Sequence, residues 1–246
     1  MALNLLAPVV NYQSMLNRIF WFTSAAALGA VCLLRVNVPE IEIELKRINF
    51  DLDTGSGSML SIPGGYLLPA LGVGLIARAF RIHGHFAHWL GIRERFDIDV
   101  IINALTRESG IDVESVTDDQ WVTHWHDIMR QAFYRFTGNK TLQIDEHLIH
   151  QSLDSWSWFW IGTEATLIFV LSGMSLIALG SYSVGAVTIL GSLLLASVGL
   201  PAIRNQCRRY AIAQVKTIVS DPARAAVVRQ AFDWTAVFKS HLKRTA

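Results

Sequence analysis

The composition of this chain of 246 residues excludes an ordinary soluble domain. Hydrophobic residues make up 52% of the sequence and charged residues 17%, and the mean hydropathy is +0.35, so much of the apolar surface is expected to lie in lipid. The formal charge is only +1, but it conceals a strong asymmetry along the chain. The two cysteines, Cys32 and Cys207, provide neither a disulfide framework nor a metal signature.

Residues 1–80 are predicted to contain a first pair of transmembrane helices joined by an extracytoplasmic loop at residues 37–58. The first helix is expected from about Ile19 to Val36. We interpret it as a retained helix rather than a cleaved signal peptide, because Arg18 is the first basic residue and no basic region precedes the apolar run.

The extracytoplasmic loop is predicted to be β-like. Residues 40–45 read Glu-Ile-Glu-Ile-Glu-Leu, which is the strict alternation of a half-exposed strand. Ile48, Phe50 and Leu52 alternate again on the opposite parity, so a turn or bulge is expected near Lys46.

The second transmembrane helix is expected from about Met59 to Phe80. It is rich in glycine and contains Pro69, which removes a backbone donor. We therefore expect an irregular start and a kink.

Residues 81–155 are predicted to form a helical cytosolic domain that senses a ligand. One amphipathic helix follows the i, i+3, i+4, i+7 pattern at Ile98, Ile101, Ile102 and Leu105. A second opens at residues 117–119 and has a long apolar stripe. The stripe consists of Trp121, Trp125, Ile128, Met129, Ala132, Phe133 and Phe136. A third helix is expected to start near Asp145 and to continue into the next apolar run.

Residues 156–203 are predicted to form a second transmembrane hairpin. Two apolar runs of roughly 20 residues each, the length that crosses a bilayer, flank an uncharged turn at residues 180–183, and Glu164 is the only charged residue in either run. Residues 204–246 form a basic helical tail, whose expected partner is anionic lipid headgroups or the acidic insert. The expected fold is an all-α membrane protein with four transmembrane helices.

The charge distribution predicts the orientation. The 39–57 loop has five acidic and two basic residues, whereas the chain after Ile203 has nine Lys/Arg against two Asp. Under the positive-inside rule, both termini and the insert lie in the cytoplasm. The expected location is the bacterial inner membrane.

Glu164 is the leading candidate for an ion-binding or pore-lining residue. An ionised carboxylate about two turns inside a transmembrane helix costs several kcal/mol unless it meets water, a cation or a partner. The alternative is a protonated or hydrogen-bonded glutamate that fixes helix packing.

The insert contains a candidate ligand site for an anion. Basic side chains and a tyrosine that could stack on a planar ligand lie along one predicted helix and its end, and the alternative is a solvated helix face. The residues are His124, His126, Arg130, Tyr134, Arg135 and Lys140. His147 and His150 lie one turn apart and are weak candidates for a metal site. No catalytic motif or cofactor motif is found, so an enzyme is not expected.

In layout the chain resembles the small multi-span effectors of bacterial antiphage defence, in particular the channel-forming effector of Hailong systems. The resemblance covers the four spans, the acidic insert and the segment from Gly91 to Asp97 that leads into it. It implies a homo-oligomeric ion channel, which we expect to be a tetramer, gated by an oligonucleotide that a partner nucleotidyltransferase makes. The alternative functions are a non-conducting membrane sensor or scaffold that recruits a cytosolic partner, and a metal-dependent membrane enzyme.

Overall fold

The computed structural model describes residues 8–47, 64–89, 91–113, 118–138 and 143–233. In these ranges 89% of the residues are helical and there is no strand. The prediction of an all-helical protein is confirmed for this part of the chain.

The chain divides into two compact units. Unit 1 consists of Met1–His83 and Asp154–Arg204, and unit 2 consists of Gly84–Leu153 and Asn205–Ala246. Each unit therefore combines two separate stretches of sequence.

The first helix, α1, spans Tyr12–Asn37. It begins at a capping box in which the Asn11 side chain accepts a hydrogen bond from the Ser14 N–H at 2.8 Å, and the Ser14 hydroxyl oxygen accepts one from the Asn11 N–H at 3.0 Å. This cap explains why the helix starts well before Ile19, where the apolar span was expected to begin.

The prediction of a β-like loop is wrong for the described part of residues 37–58, because Pro39–Arg47 forms a helix, α2. Proline suits the first helical position because it lacks the N–H that would have no partner there. Glu40 and Glu42 lie in the first turn, where carboxylates interact favourably with the helix dipole. Glu42 also pairs with Arg35 of α1, with 3.2 Å between Oε1 and Nη2. These local interactions outweigh the strand-like alternation of residues 40–45. The second alternating segment, at Ile48, Phe50 and Leu52, lies outside the described residues.

The second predicted span corresponds to α3, Gly64–Ala79, which is followed by α4, Ile82–Trp89. Pro69 lies inside α3. A bend of 51° separates the two helices, and Arg81 at the break has a φ of 47°, which is uncommon for a residue other than glycine. This span thus changes direction at its C-terminal end.

Helix α3 packs antiparallel to α1. Arg78 donates a hydrogen bond to Asn17 at 2.7 Å near one end, and Arg35 lies over the Tyr66 ring, 4.9 Å from its centre, near the other. Between them the helices approach so closely that a Cβ on Gly74 would lie 2.0 Å from a serine hydroxyl oxygen of α1.

The predicted hairpin is present as two long helices, α9 at Glu146–Ala178 and α10 at Tyr182–Val219. The shorter helices numbered between α4 and α9 precede them in the chain and lie in unit 2. The turn between them contains Gly180 at a φ of 90°, which glycine adopts without strain. Helix α9 runs unbroken from the insert into the apolar run, as predicted. Helix α10 continues through Pro201 beyond the predicted end of the span at Ile203.

The two hairpin helices touch at a pair of glycines. A Cβ on Gly185 would lie 2.6 Å from the carbonyl oxygen of Gly173 and 3.0 Å from the backbone nitrogen of Ile177. A Cβ on Gly173 would lie 2.9 Å from the carbonyl oxygen of Gly185. Because the obstructing atoms include backbone atoms as well as the Ile177 and Ile189 side chains, glycine at both positions allows this approach.

Among the described residues, three helices, α1, α9 and α10, are long and apolar enough to cross a membrane, and the bent pair α3–α4 makes a fourth if it counts as one span. None of the most apolar 18-residue window of α10 is buried. Its exposed residues include Val187, Leu190, Leu193, Leu194, Leu195 and Val198. An apolar surface this continuous is compatible with a membrane protein.

Unit 2 contains two helical runs, each with a π-helical segment in the middle. The first consists of α5, Ile92–Phe96, then π1, Asp97–Ile102, then α6, Asn103–Ser109. The second consists of α7, Asp118–Ile128, then π2, Met129–Tyr134, then α8, Arg135–Thr137. All seven residues of the predicted stripe are buried, as are Ile101, Ile102 and Leu105.

The described part of the basic tail contains α11, Pro222–Ala231. Asp221 caps it by accepting a hydrogen bond from the Arg224 N–H at 2.9 Å. Just after the helix, the buried Phe232 ring meets the Trp121 ring edge-on at 6.3 Å between centres. The tail thus packs on the insert within unit 2.

We expect Gly185→Ala to lower the free energy of unfolding by about 1–3 kcal/mol, because the new methyl group would have to push two backbones apart. Gly191→Ala, on the same helix, is the matched control, because a Cβ there meets nothing within 4 Å; it should be neutral or stabilising. Unfolding of both purified variants in the same detergent tests this, and equal stabilities would show that the glycine contact does not limit packing.

Candidate functional site

Glu164 lies on α9 and is buried inside unit 1, with 4% of its surface exposed. The Thr23 hydroxyl of α1 donates a hydrogen bond to Oε2 at 2.5 Å. The other carboxylate oxygen, Oε1, is buried and has no hydrogen bond within the described ranges. The carboxylate is therefore only half satisfied, which is costly at an apolar position.

His83, in the first turn of α4, faces the unsatisfied oxygen. Its Nδ1 lies 3.7 Å from Oε1 of Glu164, which is longer than a hydrogen bond. Nδ1 is also buried, and no described residue hydrogen-bonds to it. The imidazole is 8% exposed, and its centre lies 5.9 Å from that of the Trp160 ring. Two polar atoms thus face each other across a narrow gap.

A small pocket adjoins this gap within unit 1, and its lining is mainly apolar. The lining residues are Leu16, Ile19, Phe20, Gly74, Ala77, Arg78, His83 and Glu164. Arg78 is engaged elsewhere, through its hydrogen bond to Asn17 and its position over the Phe20 ring at 5.8 Å. Glu164 and His83 are therefore the groups of this lining whose described hydrogen bonding is incomplete.

A second polar contact holds α1 against α9. The buried Arg18 forms an ion pair with Asp154 and donates a hydrogen bond to the Ser157 hydroxyl oxygen at 3.3 Å. Because this contact precedes that of Thr23 with Glu164 along both helices, α1 and α9 run parallel. Together these contacts set the axial register of α1 against α9, so that Thr23 lies next to Glu164.

Unit 2 contains a separate buried acid, Asp97, at the start of π1. The Tyr134 hydroxyl, at the end of π2, donates a hydrogen bond to Oδ2 of Asp97 at 3.3 Å. Arg93 donates to the Tyr134 oxygen at 3.2 Å, and its Nε lies 3.9 Å from the same Oδ2. Burial raises the pKa of Asp97 to about 7, against the opposing influence of Arg93 and of the Tyr134 hydrogen bond. Burial and the neighbouring Asp97 raise the pKa of Tyr134 to about 12.

The predicted ligand residues of the insert have different partners. Arg130 pairs with Asp127 at 2.9 Å, and the His126 ring stacks on Trp125 at 3.8 Å between centres. Tyr134 contacts Arg93 and Asp97 instead of the predicted basic residues. His124 is half-buried and Arg135 is exposed, whereas Lys140 lies outside the described residues.

The two weak metal candidates also have separate neighbours. Nε2 of His147 lies 2.8 Å from the Gln151 side-chain nitrogen, and His150 lies 3.4 Å from the Glu146 carboxylate. Within the described ranges no three His, Cys, Asp or Glu residues are placed to hold a metal ion.

Sequence reasoning identified Glu164 but missed the groups around it. His83 was assigned to the predicted insert at residues 81–155, and no partner was predicted for Glu164 where the structure places Thr23. The available signal for His83 was its position in the apolar segment 82–89, which directly follows the second span.

We expect Asp97→Asn to flatten the pH dependence of unit 2 stability. In the folded chain burial raises the pKa of Asp97 to about 7, whereas the ordinary pKa of this carboxyl is 3.8. The contribution of the protonated Asp97 to the free energy of unfolding is thus complete below about pH 4. It is lost as the pH rises through 7, which lowers the free energy of unfolding by roughly 4 kcal/mol. Hydrogen exchange of residues 92–109 between pH 4 and 8 measures this, with the exposed Asp99→Asn as control; parallel curves for wild type and Asp97→Asn would contradict it.

Comparison with curated proteins and with solved structures gave no match. One protein family matches, and the match covers residues 11–233, which include parts of both stretches of each unit and every group of the two polar sites. The chain belongs to the YmfE protein family.

Proposed function

We propose that this chain is a homo-oligomeric ion channel of the bacterial inner membrane, opened by a ligand that binds the cytosolic unit 2. The observation that supports it best is Glu164, a buried carboxylate with one unsatisfied oxygen in a helix able to cross a bilayer. Acidic groups at such positions are costly and mark ion pathways. In this proposal the bent pair α3–α4 is the fourth span, so residues 84–89 of unit 2 belong to that span, whereas the rest of unit 2 and both termini lie in the cytoplasm.

Because Glu164 is buried within one protomer, we do not expect its carboxylates to line an ion pathway along an axis shared by several copies. A ring of Glu164 carboxylates around a shared axis would require the side chain to point out of unit 1, whereas it contacts Thr23 and faces His83 inside it. We therefore place the ion-binding step inside each protomer. The exposed apolar face of α10 is the proposed surface for lipid and for neighbouring copies.

Gating is proposed to begin in unit 2. Exposed Arg130, Arg135 and His126 follow one another along the second helical run, and such a set suits an anionic ligand. From the resemblance to antiphage effectors, the ligand is an oligonucleotide made by a partner nucleotidyltransferase. Because α9 is one helix from Glu146 to Ala178, it contains residues of both units and is the proposed element of transmission.

The second candidate is a non-conducting membrane sensor or scaffold that recruits a cytosolic partner through unit 2. It is favoured by the Thr23 hydrogen bond, because a glutamate held in this way can serve helix packing alone. In this case Glu164 would matter for stability and not for ion flux.

We expect Glu164→Gln to reduce single-channel conductance about tenfold or more, because loss of about 1.4 kcal/mol weakens ion binding tenfold and the pathway then holds an ion correspondingly less often. The amide keeps the size of the side chain and can still accept the Thr23 hydrogen bond. Currents through the full chain in planar bilayers measure the change. Glu146→Gln is the matched control, since Glu146 lies on the same helix with a mostly exposed side chain.

The two candidates give different results in this experiment. Equal currents for wild type and Glu164→Gln would remove Glu164 from the mechanism. A chain that stays monomeric and passes no current would reject the channel, and a Glu164→Gln variant that then loses thermal stability would favour the scaffold.

A further inference from the structure

The gap between His83 and Glu164 has the features of a binding site for one small species. Nδ1 and Oε1 are both buried, both lack a hydrogen bond within the described ranges, and lie 3.7 Å apart. A shift of well under 1 Å would bring them within hydrogen-bond distance. A water molecule in the adjoining pocket would bridge them without any shift.

We propose that His83 and Glu164 form a proton-binding site, in which one proton is shared between Nδ1 and Oε1 directly or through one water. Without the proton, the neutral imidazole and the carboxylate together carry one negative charge. Uptake of one proton from water makes the pair neutral, either as imidazolium with carboxylate or as imidazole with carboxylic acid. In both forms the two unsatisfied atoms become donor and acceptor.

A metal cation suits this site less well. Sodium, potassium and calcium ions require several oxygen ligands, whereas the pocket lining is mainly apolar and Thr23 already engages Oε2. Transition metals need about four ligands, typically three or more from protein side chains, and the described residues place no such group here. A proton needs only the two atoms present.

The charged groups packed around the pair are otherwise engaged. On α1, Arg18 is neutralised by Asp154 of α9, and on α3, Arg78 binds Asn17. The apolar part of α10 has no charged residue before Arg204, and Arg81, next to His83 in sequence, is exposed. The described contacts of Arg18 and Arg78 are thus with groups other than His83 and Glu164.

This inference deepens the proposed function by naming the proton as the bound ion, and it rests on that function for the link to conduction. If protonation controls the pathway, the current should depend on pH in the wild type. His83→Gln should move this dependence to a different pH, because Glu164 is then the only group of the pair that can hold the proton.

The test combines infrared pH titration with current measurement on the full chain in lipid vesicles. In wild type, a carboxylic acid C=O band and the imidazole ring bands should change in the same pH step. Glu164→Gln should abolish the carboxyl component, and His83→Gln should increase it, because the proton then resides wholly on Glu164. His85→Gln, two residues away and exposed, should leave the titration unchanged.

A ¹⁵N NMR titration of the wild-type imidazoles gives the same answer without a variant, in case His83→Gln does not fold. Carboxyl and imidazole signals that titrate independently, or titrations that superimpose for wild type and His83→Gln, would overturn the proton site even if currents are measured. Coupled titration without any current would reject the channel and retain the proton site.

Discussion

A carboxylate in an apolar helix must be hydrogen-bonded, paired or protonated, and the architecture of unit 1 meets this requirement for one oxygen of Glu164 and brings a histidine close to the other. The parallel packing of α1 on α9, held by the Arg18–Asp154 ion pair, places Thr23 against one carboxylate oxygen. The bend after α3 places His83 against the other. Features that look unrelated in sequence thus converge on one acidic group.

The two units treat their buried acids differently. In unit 1 a neutral hydroxyl and an imidazole face Glu164, and the nearest guanidinium groups bind elsewhere. In unit 2 Arg93 and Tyr134 surround Asp97, yet burial still dominates and raises its pKa to about 7. A buried carboxyl beside an arginine can thus be about half protonated near pH 7, because loss of hydration outweighs one partly solvated charge.

Much of the fold follows from local patterns in the sequence, and the sites do not. The hairpin, the start of α9 in the insert and the Trp121 stripe were predictable from run length, capping residues and helical periodicity. Residues 39–47 were predicted to be β-like because apolar and acidic residues alternate there, but they form a helix. Proline and glutamates at its start favour that helix. The approach of His83 to Glu164 joins residues far apart in sequence, and no periodicity encodes such a contact.

The π-helical segments restrict how unit 2 can change in evolution. A π-helical turn contains more residues than an α-helical one, so the residues after π1 occupy a face set by that surplus. Removing one residue between Phe96 and Asn103 would turn the rest of the run by about 100° and carry Leu105 away from the core. The same holds for Phe136 after π2. Both runs should accept substitutions on their exposed faces far more readily than a change in length.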